Sequence, residues 1–397
     1  MGRVQVSKRL EAVRPSATVA LTDRARAMVA AGRDIISLSA GEPDFDTPAA
    51  VRRAATAAME AGFTHYTPSA GIPELRRAIA AKLARENGVT VDPVRGVLVL
   101  PGVKQGLAYA CLAFLDEGDE CLCPEPGWVS YRELVTLAGG RHVAVPGRAE
   151  DGFRMRSEDF ENRVTPRTKL IFLNTPVNPT GKVWSLEELE AVAESARRHD
   201  LVVIADEIYE RILFDGHRHH SIASLPGMAE RTLTLNGFSK VHAMTGWRLG
   251  YVAGPEHLVW PLMLLQQHTV TCAVSFVQKA AVVALEGEQT EQAEMLHAFE
   301  RRRRLLTEQL RDAPGLSFRQ PQGTFYMWLD VRACQRSSAA VCEHLLERQG
   351  LMLTPGDAFG ECGEGFVRLS FAAADEVLEA AAGRLRAGLA ELVSSRG

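Results

Sequence analysis

The chain has 397 residues, 46% hydrophobic and 24% charged, with 33 Gly and 19 Pro spread along it; this suits a globular protein of two domains and excludes a low-complexity chain. Lys and Arg number 45 against 49 Asp and Glu, a net charge of -4, so no overall field draws the chain to nucleic acid or an anionic membrane. The first eleven residues mix Arg3, Lys8 and Arg9 with polar groups, and no run reaches the ~18 apolar residues of a membrane span, so the expectation is a cytoplasmic protein without nucleic-acid or membrane partners.

Thr22 to Ala31 and Val51 to Ala61 read as helices, and Pro43, Pro48 and Pro68 punctuate the polar connections after them. Apolar runs then alternate with helical patterns from about Leu98 to Gly254. Val97–Leu100, Glu120–Cys123, Lys169–Asn174, Leu201–Asp206 and Thr232–Asn236 fit strands buried on both faces. Ser185 to His199 carries apolar residues at helical spacing, with Ser185 and Glu188 as a capping box. These features predict an α/β fold with a mostly parallel central sheet flanked by helices. The seven cysteines are expected to be buried free thiols, with Cys121 and Cys123 on one face of a strand. They lack zinc-ligand spacing, so no metal is expected. His217, His219 and His220 follow Asp215-Gly216 and read as a polar turn. Arg301 to Arg304 fall in a helical pattern from about Thr290 to Asp312, where a solvated face is the expectation because no aromatic residues are interleaved. After Gly323 to Trp328 the pattern returns to strand, helix, strand, and ends in an amphipathic helix from about Asp375 to Val393, a second and smaller α/β unit.

Polar residues sit just after several apolar runs: Asn178, Asp206 and Lys240. In open α/β sheets the carboxyl ends of the strands form the ligand crevice, so these groups are expected to converge on one site.

The string Asn236-Gly237-Phe238-Ser239-Lys240, followed by Met244-Thr245-Gly246-Trp247-Arg248-Leu249-Gly250-Tyr251, resembles the cofactor-lysine motif of the class I and II aminotransferases. Asn178-Pro179-Thr180-Gly181 and Asp206-Glu207-Ile208-Tyr209 match that family's other motifs in order and spacing. Arg14-Pro15-Ser16-Ala17-Thr18-Val19-Ala20 and the stretch Ala40 to Pro48 are similar to the bacterial aspartate aminotransferase subgroup. The resemblance covers essentially the whole chain. It implies pyridoxal-phosphate fold type I, with a large cofactor-binding domain over 46–290 and a small domain formed by 1–45 and 291–397. It also implies a homodimer with shared active sites, acting in amino-acid metabolism and biosynthesis.

The implied cofactor is pyridoxal 5'-phosphate, joined to Lys240, whose amine then serves as acid and base. A buried carboxylate keeps the cofactor's ring nitrogen protonated, a role that falls to Asp206. By resemblance Asn178 and Tyr209 donate to its phenolic oxygen. The phosphate wants N–H groups at a helix start and a bidentate cation, which points to Gly102, Val103 and Lys104 with Arg248, and to Ser239. Tyr66 is implied to reach the phosphate of a neighbouring subunit. Trp128 resembles the aromatic that stacks on the cofactor ring, and also borders the substrate with Asn178. Arg368, on a predicted strand, is expected to grip the substrate α-carboxylate, with the backbone of Gly41 on its other side.

Two positions depart from the pattern. Gly237 stands where many relatives carry a hydroxyl residue three before the lysine, and Val103 where Gly or Ala is common. In the subgroup that this chain resembles, the residue at Lys104 helps to read a distal carboxylate, so aspartate or glutamate with a 2-oxo acid is the expected substrate pair. Aromatic or basic amino acids, and a pyridoxal-phosphate lyase, are the alternatives on the same scaffold. A transcription regulator of this fold is disfavoured, since about 40 residues before Gly41 are too few for a winged helix and linker.

Overall fold

The computed structural model describes residues 6–394; residues 1–5, the start of the segment read above for a targeting signal, and residues 395–397 lie outside it. Seven strands build the larger sheet: β1 (Val97–Leu100), β2 (Glu120–Glu125), β3 (Arg141–Pro146), β4 (Thr168–Asn174), β5 (Val202–Asp206), β6 (Thr232–Gly237) and β7 (Gly250–Ala253). Their order is β1-β7-β6-β5-β4-β2-β3. The pairs β2–β3, β2–β4, β4–β5 and β5–β6 are parallel, and β7 runs antiparallel to both β1 and β6.

Continuous apolar runs form these strands because alternate side chains feed different cores. On β1, Leu98 and Leu100 join one cluster while Val97 and Val99 join another. On β4, Leu170 and Phe172 face the first cluster, whereas Ile171 and Leu173 pack with Leu189 and Val192. Of the helices α1 (Ala17–Ala30), α2 (Ala49–Glu60), α3 (Pro73–Lys82), α4 (Val103–Phe114), α5 (Leu186–Arg198), α6 (Thr290–Leu310) and α7 (Asp375–Ser394), α2 to α5 cover the two faces, whereas α1 packs with Leu346 and Met352, and α6 packs on α7. The expected capping box opens α5: Ser185 Oγ accepts from Glu188 N at 3.2 Å, and Glu188 Oε2 from Ser185 N at 3.1 Å. Cys121 and Cys123 do share a face, with Sγ atoms 3.8 Å apart in the core.

A second, antiparallel sheet of four strands, β8 (Ser317–Phe318), β9 (Tyr326–Asp330), β10 (Thr354–Pro355) and β11 (Phe366–Ser370), has the order β10-β11-β9-β8. Trp328 pairs with Arg368 in its register, so both side chains project from one face with Tyr326 and Phe366. Gln322 N and Gly323 N donate to Gly181 O at 2.9 and 2.8 Å, and this splices the second sheet to the loop after β4. Among the described residues no helix is long and apolar enough to cross a membrane.

Several expectations are corrected. Helix α1 begins at Ala17, five residues before Thr22. Strands β3 and β7 were not singled out: β3 is only partly buried, and β7 is four residues long between glycines. The arginine run is not one solvated face. At 100° per residue four neighbours point four ways, and the Arg302 and Arg303 side chains are 7% and 1% exposed. Arg302 grips Asp44 bidentately at 2.7 and 2.8 Å, and Arg303 grips Asp215 at 2.6 and 2.7 Å. The histidine turn is polar at His217 and His220 but not at His219, whose side chain is 7% exposed and lies 3.1 Å from Glu207.

Asp215→Asn tests the Arg303 pair. Asn tolerates the left-handed backbone at this position, φ 52°, yet leaves the buried guanidinium without a counter-charge. It is expected to destabilise the apoprotein by about 2–3 kcal/mol, while Glu300→Ala, which breaks the exposed Arg304 pair, changes stability by less than about 0.5 kcal/mol. Equal melting temperatures for the two variants would refute the assignment.

Candidate active site

The carboxyl ends of β4, β5 and β6 converge as the sheet topology requires. Asp206, the last residue of β5, is 5% exposed; its carboxylate accepts from Tyr131 Oη at 2.8 Å and from Ile208 N at 3.3 Å. Asn174 ends β4 and bridges outward, donating to Asp206 O at 2.9 Å and accepting from Asn178 N at 2.8 Å. Asn178 Oδ1 in turn accepts from Arg368 at 2.9 Å, and a second guanidinium nitrogen donates to Ser39 O at 2.6 Å. Arg368 lies 4.3 Å above the Tyr326 ring, and its Nε is buried without a partner. Tyr326 and Tyr209 share a hydroxyl contact of 3.0 Å. Lys240, just past β6, donates from Nζ to Gly41 O.

A cavity of about 500 Å³ gathers Gly41, Val103, Lys104, Trp128, Asn178, Asp206, Tyr209, Ser239, Lys240, Arg248 and Arg368. Gly102 borders it, with φ 88°, and a Cβ there would stand 2.6 Å from the Arg248 guanidinium. Gly41 is held as tightly, since its Cβ would meet Tyr326 Oη at 2.4 Å. Tyr66 is the exception: it is 85% exposed and does not line this chain's cavity. A larger cleft of about 860 Å³ lies beyond the 178–182 loop, between 149–188 and 317–330. It holds none of the catalytic or cofactor-binding residues expected from the sequence, so size does not mark the site.

Withdrawal from water dominates the electrostatics. Burial, reinforced by Arg368 and Arg248, lowers the Lys240 amine to about 8 against the pull of Glu42 and Asp206. Burial, with some help from Glu207, raises Asp206 to about 6 although Tyr131 and Ile208 hydrogen-bond its ionised form. Burial pushes Tyr209 up, with Tyr326 adding to the effect. Lys104 is lowered by burial and by Arg248, and its Nζ lies 4.8 Å over the Trp128 ring.

Gly237 leaves no room for a side chain: a Cβ there would stand 2.9 Å from Gly250 Cα, 3.0 Å from Leu249 O and 3.1 Å from Val103 Cγ2. Sequence reasoning gave no role to Tyr131, Asn174 or Tyr326, nor to Thr18, Thr22 and Arg26 of α1, which also line the cavity. Tyr326 lies in the stretch Gly323 to Trp328 and Tyr131 three residues past Trp128, but a chain cannot show whether a tyrosine turns its hydroxyl to the core or to a site.

A family model described as "Aminotransferase class I and II" matches residues 33–385. The chain belongs to this family. It is a pyridoxal-phosphate-dependent aminotransferase, moving an amino group from an amino acid to a 2-oxo acid. It is 44% identical to an aspartate aminotransferase of Pyrococcus abyssi over 97% of this chain and 98% of the relative. It is 43% identical to aromatic-amino-acid aminotransferase 2 of Thermococcus litoralis, over 97% and 98% of the two chains. The structure of Thermus thermophilus aspartate aminotransferase with maleate superposes with a TM-score of 0.93 at 40% identity, covering 97% of this chain and 100% of that one.

The residues present suit the aminotransferase cofactor. Arg248 is held at φ 53°, in the left-handed region that few non-glycine residues adopt. Its one described hydrogen bond, to Thr245 O, leaves donors free beside the N–H groups that open α4, which is where an anionic group is stabilised. A buried carboxylate, a buried amine and the half-buried Trp128 complete the set.

The lowered Lys240 amine has a direct readout. Below about pH 8 it is mostly protonated and unreactive, and above that it is a free nucleophile. Incubating apoprotein with pyridoxal phosphate, then reducing with borohydride and mapping peptides, should give a yield at residue 240 with its midpoint near pH 8. Lys240→Ala should give none. A midpoint near that of a surface lysine, about 10.4, would overturn the burial argument.

Proposed function

We propose that this aminotransferase uses aspartate or glutamate as amino donor, with Lys240 as the proton-transferring group. The observation that carries the reading is the buried Lys240 amine set between Asp206 and Arg368 in one cavity. When bound, the cofactor supplies an electron sink for the charge left on the substrate's α-carbon. Lys240 Nζ takes up the proton released at that carbon, which a poised amine can do near neutral pH. Asp206 would hold the proton on the cofactor ring nitrogen, and Asn178 and Tyr209 would supply donors to its phenolic oxygen. Gly102, Val103, Lys104 and Ser239 offer the α4 end of the phosphate site, with Arg248 as its cation. Trp128 packs against the ring. Arg368 binds the α-carboxylate: a guanidinium so deeply buried, with Nε unpaired, fits a planar anion. Gly41 bounds the same group through its backbone.

The dicarboxylic preference rests on Lys104, whose desolvated ammonium stands at the cavity wall over Trp128. The names of the Pyrococcus relative and of the maleate-bound Thermus enzyme agree with it. An aromatic donor is the second reading, favoured by the Thermococcus relative's name. On this proposal 46–290 holds the cofactor, and 1–45 with 291–397 covers it. Tyr66, turned away from its own cavity, enters that of a second copy in a cytoplasmic homodimer.

Purified protein given aspartate and 2-oxoglutarate is expected to form glutamate; release of ammonia or pyruvate without glutamate would sink the reading. Lys104→Ala should lower kcat/KM for aspartate by about 10- to 100-fold, the worth of a hydrogen bond to a charged group. Aromatic donors should be little affected. Arg368→Ala should impair every donor, and equal losses in both variants across donors would exclude Lys104 as the selective group.

A further inference from the structure

Behind Asp206 lies a second cluster of buried charge that takes no part in the cavity. Glu207, 1% exposed, follows Asp206, and its backbone N–H is fixed on Leu235 O of β6 at 2.9 Å. Its carboxylate accepts from Ser221 Oγ at 2.6 Å and from Asn87 Nδ2 at 3.1 Å, and His219 Nε2 stands 3.1 Å away. One turn on, Glu210 accepts from Asn87 Nδ2 at 2.7 Å and from Lys82. Lys82 belongs to α3 and is 3% exposed. Other groups reach the same cluster: Glu86, 3.8 Å from Lys82; Arg211, paired with Glu86 at 2.6 Å; neutral His242 after β6; and Tyr251 of β7.

The inner quartet balances only in one protonation state. Glu207 and Glu210 bring two negative charges and Lys82 one positive, so a protonated His219 makes the set neutral. Glu207 and Glu210 together raise the affinity of His219 for its proton enough to outweigh its burial. Glu207, Glu210 and His219 could in principle hold a metal ion, their ligand atoms lying within 4.8 Å of one another, but the Lys82 ammonium already fills the cation's part. An unbalanced Glu207 would push directly on the next carboxylate along the chain, Asp206.

We propose that His219, 3.1 Å from the Glu207 carboxylate, is a positioning residue of the cofactor site: its charge offsets that of Glu207 and so limits the repulsion that Asp206 takes from its neighbour. The inference rests on the role given to Asp206 above. Removing the His219 charge makes the buried end of β5 more negative, which favours protonated forms at every titrating group nearby.

The test is a cycle of His219→Gln, Glu207→Gln and the double variant, read in two ways. In holoenzyme, the pH midpoint of the bound cofactor's visible absorbance should rise by about 0.5–1 unit in His219→Gln. It should return close to the wild-type value in the double variant, where both charges are gone. In apoprotein, a histidine bound more tightly to its proton when folded stabilises fully below its unfolded value, and this stability is lost as pH rises through the folded one. Wild type should therefore lose melting temperature over that window above about pH 6.5, and His219→Gln should not. An unchanged midpoint in His219→Gln, or a double variant that stays with the single one, would overturn the proposal and leave His219 a merely structural residue. Asp206→Asn separates the two layers: full activity in that variant defeats the role of Asp206 itself, whereas an inactive Asp206→Asn beside a silent His219→Gln defeats only the present inference.

Discussion

An amine taken out of water cannot keep its proton at the usual cost, and the structure depends on that constraint at Lys240. Its position is dictated by the sheet: β6 delivers it to the carboxyl edge where β5 delivers Asp206, and the two titrate toward each other, the amine down to about 8 and the carboxyl up to about 6. Neither shift arises from the pair alone, since each group's charge opposes the other's shift. Burial is the larger cause for both. A cavity that stayed wet would leave an ordinary lysine and an ordinary aspartate with no reason to react near neutral pH.

The scaffold shapes the cavity through contacts that sequence comparison by residue type would miss. Gly41 is required because the Tyr326 hydroxyl of the buried ring occupies the place of its side chain, and Gly102 because its backbone is held at φ 88°. At Val103 and Gly237 the same volume is crowded from the opposite strand end, so a hydroxyl residue at 237 would press on Val103 and on the β7 backbone at Gly250. The glycine at 237 is thus set first by the backbone at Leu249 and Gly250, and only then by Val103.

Strands β1, β4, β5 and β6 were legible because buried parallel strands leave long apolar runs, and the site residues because they follow those runs directly. Partly buried β3 lacks such a run, and β7, though as long as β1, begins on Gly250 and stops at Gly254, so its apolar run is only Tyr251 to Ala253. Arg302, Arg303 and His219 were misread for a different reason: burial of a charged side chain is decided by its partner. Asp44 lies 258 residues from Arg302, and Asp215 lies 88 from Arg303. Composition and periodicity carry no information about pairs at such separations. A helix that presents charge to water and one that buries it against a carboxylate read alike until the chain is folded.

Charge around the cavity explains why so strained a site is worth keeping. Lys104, Arg248, Arg368 and, in part, Lys240 face Asp206 and Glu42, an excess of positive charge that is withdrawn from water at Arg368 and Lys240 and open to it at Lys104 and Arg248. In the apoprotein this excess works against folding. Lys240 binds its proton less tightly folded than unfolded, so stability should climb as pH rises from about 8 toward the free value. Asp206 acts in the other direction between its free value and about 6, where the folded chain holds the extra proton and stability falls as pH rises. A phosphate at Arg248 and a carboxylate at Arg368 relieve the same imbalance from two sides, and anything that binds only the folded form stabilises it by mass action. Ligand binding thus relieves most where the cation is buried, at Arg368 and Lys240, which ties stability and catalysis to those two groups.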